Sequence, residues 1–198
     1  MDRGRGQRVI AGAELGDVLI AAAADGSVAV RVEATDFGAE RPFGARLVVA
    51  DGRVPRDAET ETRRWLQLAR WTPRLAIAFE SARGDAQGDS IAELWRESEE
   101  LNREVEEPLA RIGGPRTVLV ADLDRMTEQV GSWPAEVGPI LRLADGVRPL
   151  LGIVAKAPFP PNVTVRILAR LVSGGVLLVG SREPEERETV VSPEPIED

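Results

Sequence analysis

Apolar residues in this chain form short continuous runs, and the segments between the runs carry apolar residues every three or four positions. The runs predict five strands, at residues 46–50, 75–79, 117–121, 150–155 and 176–179. The segments between them predict helices at residues 58–71, 90–108, 134–144 and 162–171. Regular alternation of strand and helix is typical of an α/β fold, so we expect a mostly parallel sheet with helices on both faces.

The segment that precedes these elements predicts an N-terminal β-hairpin. Residues 18–24 and 27–34 are rich in small and apolar side chains, and Asp25 and Gly26 stand between them. An Asp-Gly pair suits the tight turn of a hairpin, and valines alternate with other residues in the second arm.

The same patterns predict one folded domain between two disordered ends. We expect residues 8–181 to form the domain, with the hairpin as a lead-in over 8–45 and the α/β core over 46–181. Residues 1–7 are rich in glycine and arginine, and residues 182–198 are rich in proline and glutamate. Both ends lack the apolar residues that a packed core requires, so we expect disorder there.

Composition excludes most kinds of active site. The chain has no histidine, no cysteine and no tyrosine, and its one lysine is Lys156. A Ser-His-Asp triad, a Cys-His pair and the usual zinc sites are therefore excluded. Acid-base chemistry would fall to carboxylates, to Lys156 or to water, and we expect no cofactor and favour a non-enzyme.

Charge and hydropathy indicate the surroundings in which the protein works. No apolar run reaches the roughly 18 residues that span a bilayer, and the first residues lack the pattern of a signal peptide. These features predict a cytoplasmic protein without a membrane span. A net charge of −8 argues against a general nucleic-acid binder and leaves a protein partner or a homo-oligomer as the expected interaction.

The loop after the strand at 46–50 stands where a P-loop would bind phosphate. A P-loop combines backbone amides, several glycines and a lysine between a strand and a helix. This loop keeps only Gly52 and has no lysine, and Asp51 and Asp57 would repel a triphosphate. Arg53 and Arg56 remain as possible contacts for an anion, and an ordinary strand-to-helix turn explains the loop equally well.

Two acids follow the clearest strand, at 117–121, in the arrangement called Walker B. Asp122 comes directly after the strand, and Asp124 comes two residues later. In motor enzymes an acid at this position binds Mg²⁺ or its water, so these two residues are the candidate metal ligands. The alternative is that Asp122 caps the helix that follows. Lys156 directly follows the predicted strand 150–155, where motor ATPases place sensor residues; the alternative is that it is a lone surface lysine.

The order of elements resembles the FtsK/SpoIIIE-type motor domains, including those of type VII secretion ATPases. The residues that carry the resemblance are 28–32, 44–49, 89–94, 118–124, 146–155 and 168–180. No G-x-x-x-x-G-K-[ST] motif occurs in the chain, so the resemblance implies a degenerate copy that does not hydrolyse ATP. Degenerate copies in that family serve as docking or regulatory units, which implies a non-catalytic module that binds a protein partner.

Two other hypotheses remain open. In an RNase H-like nuclease, clustered carboxylates bind two metal ions such as Mg²⁺, and Asp25, Glu61 and Glu80 would supply them. A structural subunit of an assembly would need no small-molecule site. Strand order separates the first two folds: a P-loop core places the strands ending at residues 50 and 121 side by side and parallel, whereas the nuclease begins with antiparallel neighbours.

Overall fold

Seven strands and eight helices make up the part of the chain that the computed structural model describes, which is residues 8–24, 26–35, 44–81, 87–129, 133–134 and 137–180. The strands are β1 (Arg8–Ile10), β2 (Val28–Ala34), β3 (Gly44–Val49), β4 (Leu75–Ser81), β5 (Val118–Ala121), β6 (Asp145–Pro149) and β7 (Leu177–Gly180). The helices are α1 (Leu15–Ala24), α2 (Glu59–Arg70), α3 (Ile91–Arg103), α4 (Glu106–Ile112), α5 (Leu123–Gln129), α6 (Val137–Leu141), α7 (Leu150–Lys156) and α8 (Pro161–Ser173). The ends for which we expect disorder, 1–7 and 182–198, lie outside these residues.

The first four strands form an antiparallel sheet in the order β1-β4-β2-β3. On the central strand β2, Val30 lies opposite Leu47 of β3 and Phe79 of β4, and Val32 lies opposite Ile77. Because successive side chains on a strand point to opposite faces, these residues share one face. Val30 and Ile77 are fully buried there, so this face forms one wall of the core.

Helices α1, α2 and α3 contribute to the same buried cluster as the inward face of this sheet. Helices α1 and α3 approach closely at Gly16, where an added Cβ would lie 2.2 Å from ring atoms of Trp95. The guanidinium of Arg70 lies 5.9 Å from the centre of the same ring and pairs with Glu99 at 2.5 Å. The Trp95 ring therefore packs against α1, and the cation over the ring, with its ion pair, holds α2 against α3.

Helix α3 begins at a capping box, as the sequence predicts. The amide of Glu93 donates to the hydroxyl of Ser90 at 3.1 Å, and the amide of Ser90 donates to the Glu93 carboxylate at 3.2 Å. The Ser90 hydroxyl also donates to that carboxylate, and these hydrogen bonds from Ser90 lower the pKa of Glu93. Two amides that the first helical turn leaves unpaired are satisfied in this way.

The last three strands form a second antiparallel sheet, in the order β6-β5-β7. Leu119 of β5 and Leu177 of β7 are buried, and α4, α7 and α8 contribute side chains to the same cluster. Strand β6 starts at Asp145, whose carboxylate accepts hydrogen bonds from the amides of Val147 and Arg148 at 3.0 and 2.8 Å. This turn sets the register shift between β6 and β5.

Arg64 of α2 connects the two halves of the molecule. One of its terminal nitrogens donates to the carbonyl oxygens of Val154, Ala155 and Ala157 at 3.2, 2.7 and 2.6 Å, and the other donates to that of Phe159 at 3.3 Å. The last carbonyls of a helix have no partner within the helix and carry partial negative charge. A cation of the first half therefore caps α7 of the second half.

The prediction of a mostly parallel sheet is wrong. Every pair of described strands is antiparallel, in two separate sheets, and the expected N-terminal hairpin is absent as well. Strand β3, which ends next to residue 50, lies in the first sheet, and β5, which ends at residue 121, lies in the second. The side-by-side parallel strands of a P-loop core are therefore not formed.

Two apolar runs account for the error, because both are helices rather than strands. Residues 18–24 lie in α1, where four consecutive alanines favour a helix more than any other residue would. Residues 150–155 lie in α7, in which five residues in succession are buried. A short apolar run fits a buried strand and a buried helix equally well. Two strands are not predicted by the sequence: β1, which has only three residues, and β6, which contains Asp145, Gly146 and Pro149, residues typical of turns.

Most other predicted elements are confirmed within one to three residues. The strands at 46–50, 75–79, 117–121 and 176–179 correspond to β3, β4, β5 and β7. The helices at 58–71 and 162–171 correspond to α2 and α8. The predicted helix 90–108 is two helices, α3 and α4, and Pro108 lies in the first turn of α4 rather than at a helix end.

Replacing Arg64 by methionine tests its role as a cap, because methionine keeps an apolar stem and removes the donors. We expect Arg64→Met to lower the free energy of unfolding by about 2–3 kcal/mol, since a charged donor is lost and buried carbonyls stay unpaired. The control is Arg125→Met, which removes an exposed arginine whose partner Glu128 lies 3.8 Å away, and it should cost less than about 1 kcal/mol. Equal urea midpoints for the two variants would show that Arg64 is not a cap.

The turn at Asp145 predicts an acid-dependent contribution to stability. Partial burial alone would raise the pKa of the Asp145 carboxyl, but hydrogen bonds from Arg148 and Val147 and the charge of Arg148 lower it overall from its ordinary value of 3.8. A lowered folded-state pKa stabilises the fold above the unfolded pKa and ceases to do so as pH falls through the folded value. We expect Asp145→Asn to lower Tm at pH 7 and the difference from wild type to shrink below pH 3.8. Calorimetry across this range measures it; a constant difference contradicts the assignment.

Candidate functional site

An open apolar cavity of about 400 Å³ lies beside helix α8. Its lining residues are Trp133, Pro134, Val137, Phe159, Val163, Ile167, Arg170, Leu171, Gly174 and Val176. Pockets of 300–1,000 Å³ with mostly apolar walls are the usual size and character of ligand sites. Among the described residues, this cavity is therefore the strongest candidate for a binding site.

One face of α8 supplies half of the cavity wall. Arg170 and Leu171 are each three or four residues from Ile167, and Val163 is four residues before it, so these side chains project from one side of the helix; Gly174 follows directly after its end. The opposite side carries Val165 and Leu168, which are fully buried in the core. Helix α8 is therefore apolar on two faces; one packs in the core, and the other lines the cavity, where Leu171 and Ile167 also touch the core.

Phe159 and Trp133 form other parts of the wall. Phe159 lies in the short connection from α7 to α8, and its carbonyl oxygen accepts a hydrogen bond from Arg64. Trp133 is partly buried and packs against the core just before α6. Because Arg64 holds the backbone at Phe159, the cavity depends on the contact between the two halves of the molecule.

Among the described residues that line the cavity, Arg170 alone is charged. It also lines a shallower groove of about 290 Å³ between α4 and α8, together with Arg111, Arg166, Pro108, Ala169 and Ser173. Arg111 pairs with Glu107 at 2.5 Å, and Arg166 pairs with Glu104. The guanidinium of Arg170 has no hydrogen bond or ion pair with any residue that the structure describes. A cation is thus available at the boundary between an apolar cavity and an arginine-lined groove.

The loop at residues 50–57 is a hairpin turn that is tied to the start of α3. Asp51 and Gly52 both have positive φ, 50° and 76°, and Ala50 and Arg53 exchange backbone hydrogen bonds of 2.8 and 2.9 Å. Positive φ at both central residues is the geometry of a two-residue hairpin turn, which Asp-Gly favours. The Gly52 carbonyl accepts from the amide of Ile91 at 2.9 Å.

Further contacts hold this loop in place. The guanidinium of Arg53 donates to the Gly88 carbonyl at 3.0 Å, and the Glu59 carboxylate accepts from the Asp89 amide at 2.8 Å. Arg56 follows in the short turn before α2 and is exposed. Gly52 and Arg53 are therefore neighbours, but their contacts fasten the loop to the segment before α3, which explains the loop without an anion.

Asp122 and Asp124 lie at the start of α5, in the half of the molecule that contains the second sheet. The Asp122 carboxylate accepts a hydrogen bond from the amide of Arg125 at 3.0 Å, which is a helix cap. Asp124 lies in the first helical turn, where an acid interacts favourably with the helix dipole. Lys156 is in the last turn of α7 and not at the end of a strand.

The residues of the nuclease hypothesis are not seen together. Asp25 lies outside the described residues, and Glu61 is exposed on α2. Glu80 is paired with Arg31 and Arg46 across the outward face of the first sheet, at 3.4 and 3.3 Å. No group of three or more acidic residues in the described ranges could hold a metal ion.

A second apolar surface lies on the outward face of the second sheet. Val120 and Leu178 are cross-strand neighbours that are 41% and 50% exposed, and Val147 on β6 is 61% exposed. Gly146 and Gly180 flank Val120 and add no side chain to cover it. Asp145, which lies opposite Val120 in the strand pairing, is partly exposed and is paired with Arg148, so this face offers no unpaired cation among the described residues.

Comparison with known proteins adds no assignment: no family model, curated protein or solved structure matches this chain. The described residues include no helix with the length and apolar character needed to cross a membrane.

Sequence reasoning missed the cavity, although part of it is visible in the sequence. Val163, Ile167 and Leu171 recur every four residues, and Val165 and Leu168 supply a second stripe on the same predicted helix. Two stripes on one surface helix indicate that one of them is left for a ligand or a partner. No periodicity predicts that Trp133 and Phe159 close the cavity, because they come from connections outside the helix.

Gly88 provides a test of the hairpin turn and its attachment. An added Cβ would lie 2.3 Å from the Val54 carbonyl oxygen and 2.2 Å from the Glu59 carboxylate. The Gly88 amide donates to that same carbonyl at 3.1 Å, so the backbone cannot move away without losing the bond. We expect Gly88→Ala to destabilise the fold by about 1–3 kcal/mol in urea denaturation.

The matched control is Gly44→Ala, where the nearest atoms lie 3.6 Å from an added Cβ. Its free energy of unfolding should stay within about 0.5 kcal/mol of wild type. If both glycine variants unfold at the same urea concentration, the attachment of the loop to residue 88 contributes nothing to stability.

Proposed function

We propose that this protein is a non-catalytic protein-binding module that takes an apolar, acidic segment of a partner into the cavity beside α8. The observation that carries the proposal is the cavity itself: of the ten described residues that line it, nine have no charge and the tenth is Arg170. Burial of apolar side chains supplies most of the free energy of such an interaction.

Charge selects an acidic partner. Arg170 lines the cavity, and Arg111 and Arg166 stand beside it in the adjoining groove. A carboxylate next to an apolar side chain would place its charge near Arg170 while the apolar group enters the cavity. Charge complementarity at a rim contributes to specificity and to the rate of association more than to affinity. A nucleic acid fits less well, because phosphates gain nothing from walls that are apolar.

The cavity lacks the groups that catalysis requires. No carboxylate, hydroxyl, thiol or lysine is among the described residues that line it. An arginine side chain does not lose its proton in proteins, so Arg170 cannot act as a general acid or base. The proposal therefore keeps the docking role that the motor resemblance implied, and it does not depend on the motor fold.

A peptide library displayed on phage and selected against the full chain tests the proposal. We expect enriched peptides to combine aliphatic or aromatic residues with flanking acids. Val163→Asp should weaken their binding about tenfold or more, the equivalent of about 1.4 kcal/mol, because it places a negative charge in the apolar wall. Arg170→Gln should weaken acidic peptides more than neutral ones. Calorimetric titration with one synthetic peptide measures each Kd.

Leu123→Asp is the matched control, since Leu123 is 73% exposed and does not line the cavity. The same apolar-to-acid change there should leave peptide affinity unchanged. A selected peptide that binds wild type and Val163→Asp equally well would place the interaction elsewhere. Failure of the library to enrich any sequence over the Val163→Asp variant would remove the basis of the proposal.

A further inference from the structure

The sequence that follows β7 has the chemistry of the segment that the cavity is proposed to bind. Residues 181–198 contain seven acidic residues and two arginines, a net charge of −5, and their aliphatic residues are Val190, Val191 and Ile196. Glu188 precedes the valine pair by two positions, and Glu194 follows it by three. An apolar pair between acids is the pattern that an apolar cavity beside Arg170 would select.

We propose that residues 181–198 occupy the cavity of their own chain, with Val190 and Val191 against α8 and neighbouring glutamates beside Arg170. This inference rests on the proposed function, because it names a regulator of the same site. A partner segment would then have to displace the chain's own residues before it binds.

The distance to be covered is short compared with the length of chain that is available. Val176 lines the cavity, and β7 carries the chain away from it to Gly180. Four residues of strand span about 13 Å. The ten residues from Gly180 to Val190 reach about 33 Å when extended, so Val190 can return to the cavity with chain to spare.

Charge favours the cavity over the exposed apolar face of the second sheet as the place where residues 181–198 bind. Arg170 lines the cavity without a partner among the described residues, whereas Arg111 and Arg166 in the adjoining groove are paired with Glu107 and Glu104. The sheet face at Val120, Val147 and Leu178 offers apolar area without such cations. A tethered segment also competes at an effective concentration on the order of 1 mM, so even a weak interaction would fill the site.

A spin label tests the contact directly, because the chain has no cysteine and a single introduced one is labelled alone. A nitroxide attached to full-length Ser192→Cys should broaden the amide NMR signals of Val163, Ile167 and Gly174. The same label in a chain that also carries Val190→Ser and Val191→Ser should leave those signals sharp. Broadening confined to Val120, Val147 and Leu178 would show docking on the sheet face and would overturn the proposal.

Binding of an uncharged apolar dye, N-phenyl-1-naphthylamine, provides the second measurement. If the tail fills the cavity most of the time, the valine-to-serine variant should bind the dye about three- to tenfold more tightly than wild type. Its Tm and circular dichroism spectrum show whether the fold is retained. Val163→Asp should abolish dye binding in both backgrounds, which assigns the dye to the cavity.

The outcomes separate this inference from the proposed function. Dye and peptide binding that depend on Val163 but are unchanged by the two valine substitutions would overturn the inference and leave the binding module standing. If no peptide binds the wild-type chain but the label at position 192 still broadens the signals of Val163, Ile167 and Gly174, the proposed function is overturned and the contact between residues 181–198 and the cavity stands.

Discussion

The capping of α7 by Arg64 is the contact on which the architecture depends. It places a positive charge of α2, which packs with the first sheet, at the carbonyl end of a helix that packs with the second. Without it, buried carbonyls at the end of α7 would lack partners, and such groups are costly. The same guanidinium binds the Phe159 carbonyl, so the contact that joins the halves also fixes one wall of the cavity.

The sequence predicts correctly those elements that depend on contacts between residues near one another in the chain. The capping box at Ser90 and Glu93 is a contact between residues three apart, so the sequence shows it directly. Strands β3, β4 and β5 are rich in residues that favour a pleated, half-buried surface. Residues 150–155 were misassigned because an apolar run does not distinguish a strand from a helix that is buried on every side. Burial of that kind is a property of the whole fold.

The pattern of apolar runs did not predict the direction of the strands, for a related reason. Alternation of strand and helix indicates parallel pairing only if every apolar run is assigned correctly, and two of them were not. Strand β4 inserts between β1 and β2, which are its distant neighbours in the chain. The cavity has the same origin: the spacing of Val163, Ile167 and Leu171 predicts one wall, whereas Trp133 and Phe159 reach it through tertiary packing. Asp122 and Asp124 differ from the cavity residues, because the sequence singled them out as metal ligands and the start of a helix explains their positions.

The composition of the chain and the character of the cavity support the same view of function. A protein without histidine, cysteine or tyrosine has few groups that exchange protons near neutral pH, and the described lining of the cavity contains only a guanidinium as a charged group. Such a site can distinguish partners by shape, apolar area and one sign of charge. On the proposal that residues 181–198 occupy the cavity, Arg170 would bind acids of its own chain as well as those of a partner. Selectivity for a partner would then depend on how well that partner competes with the tethered segment.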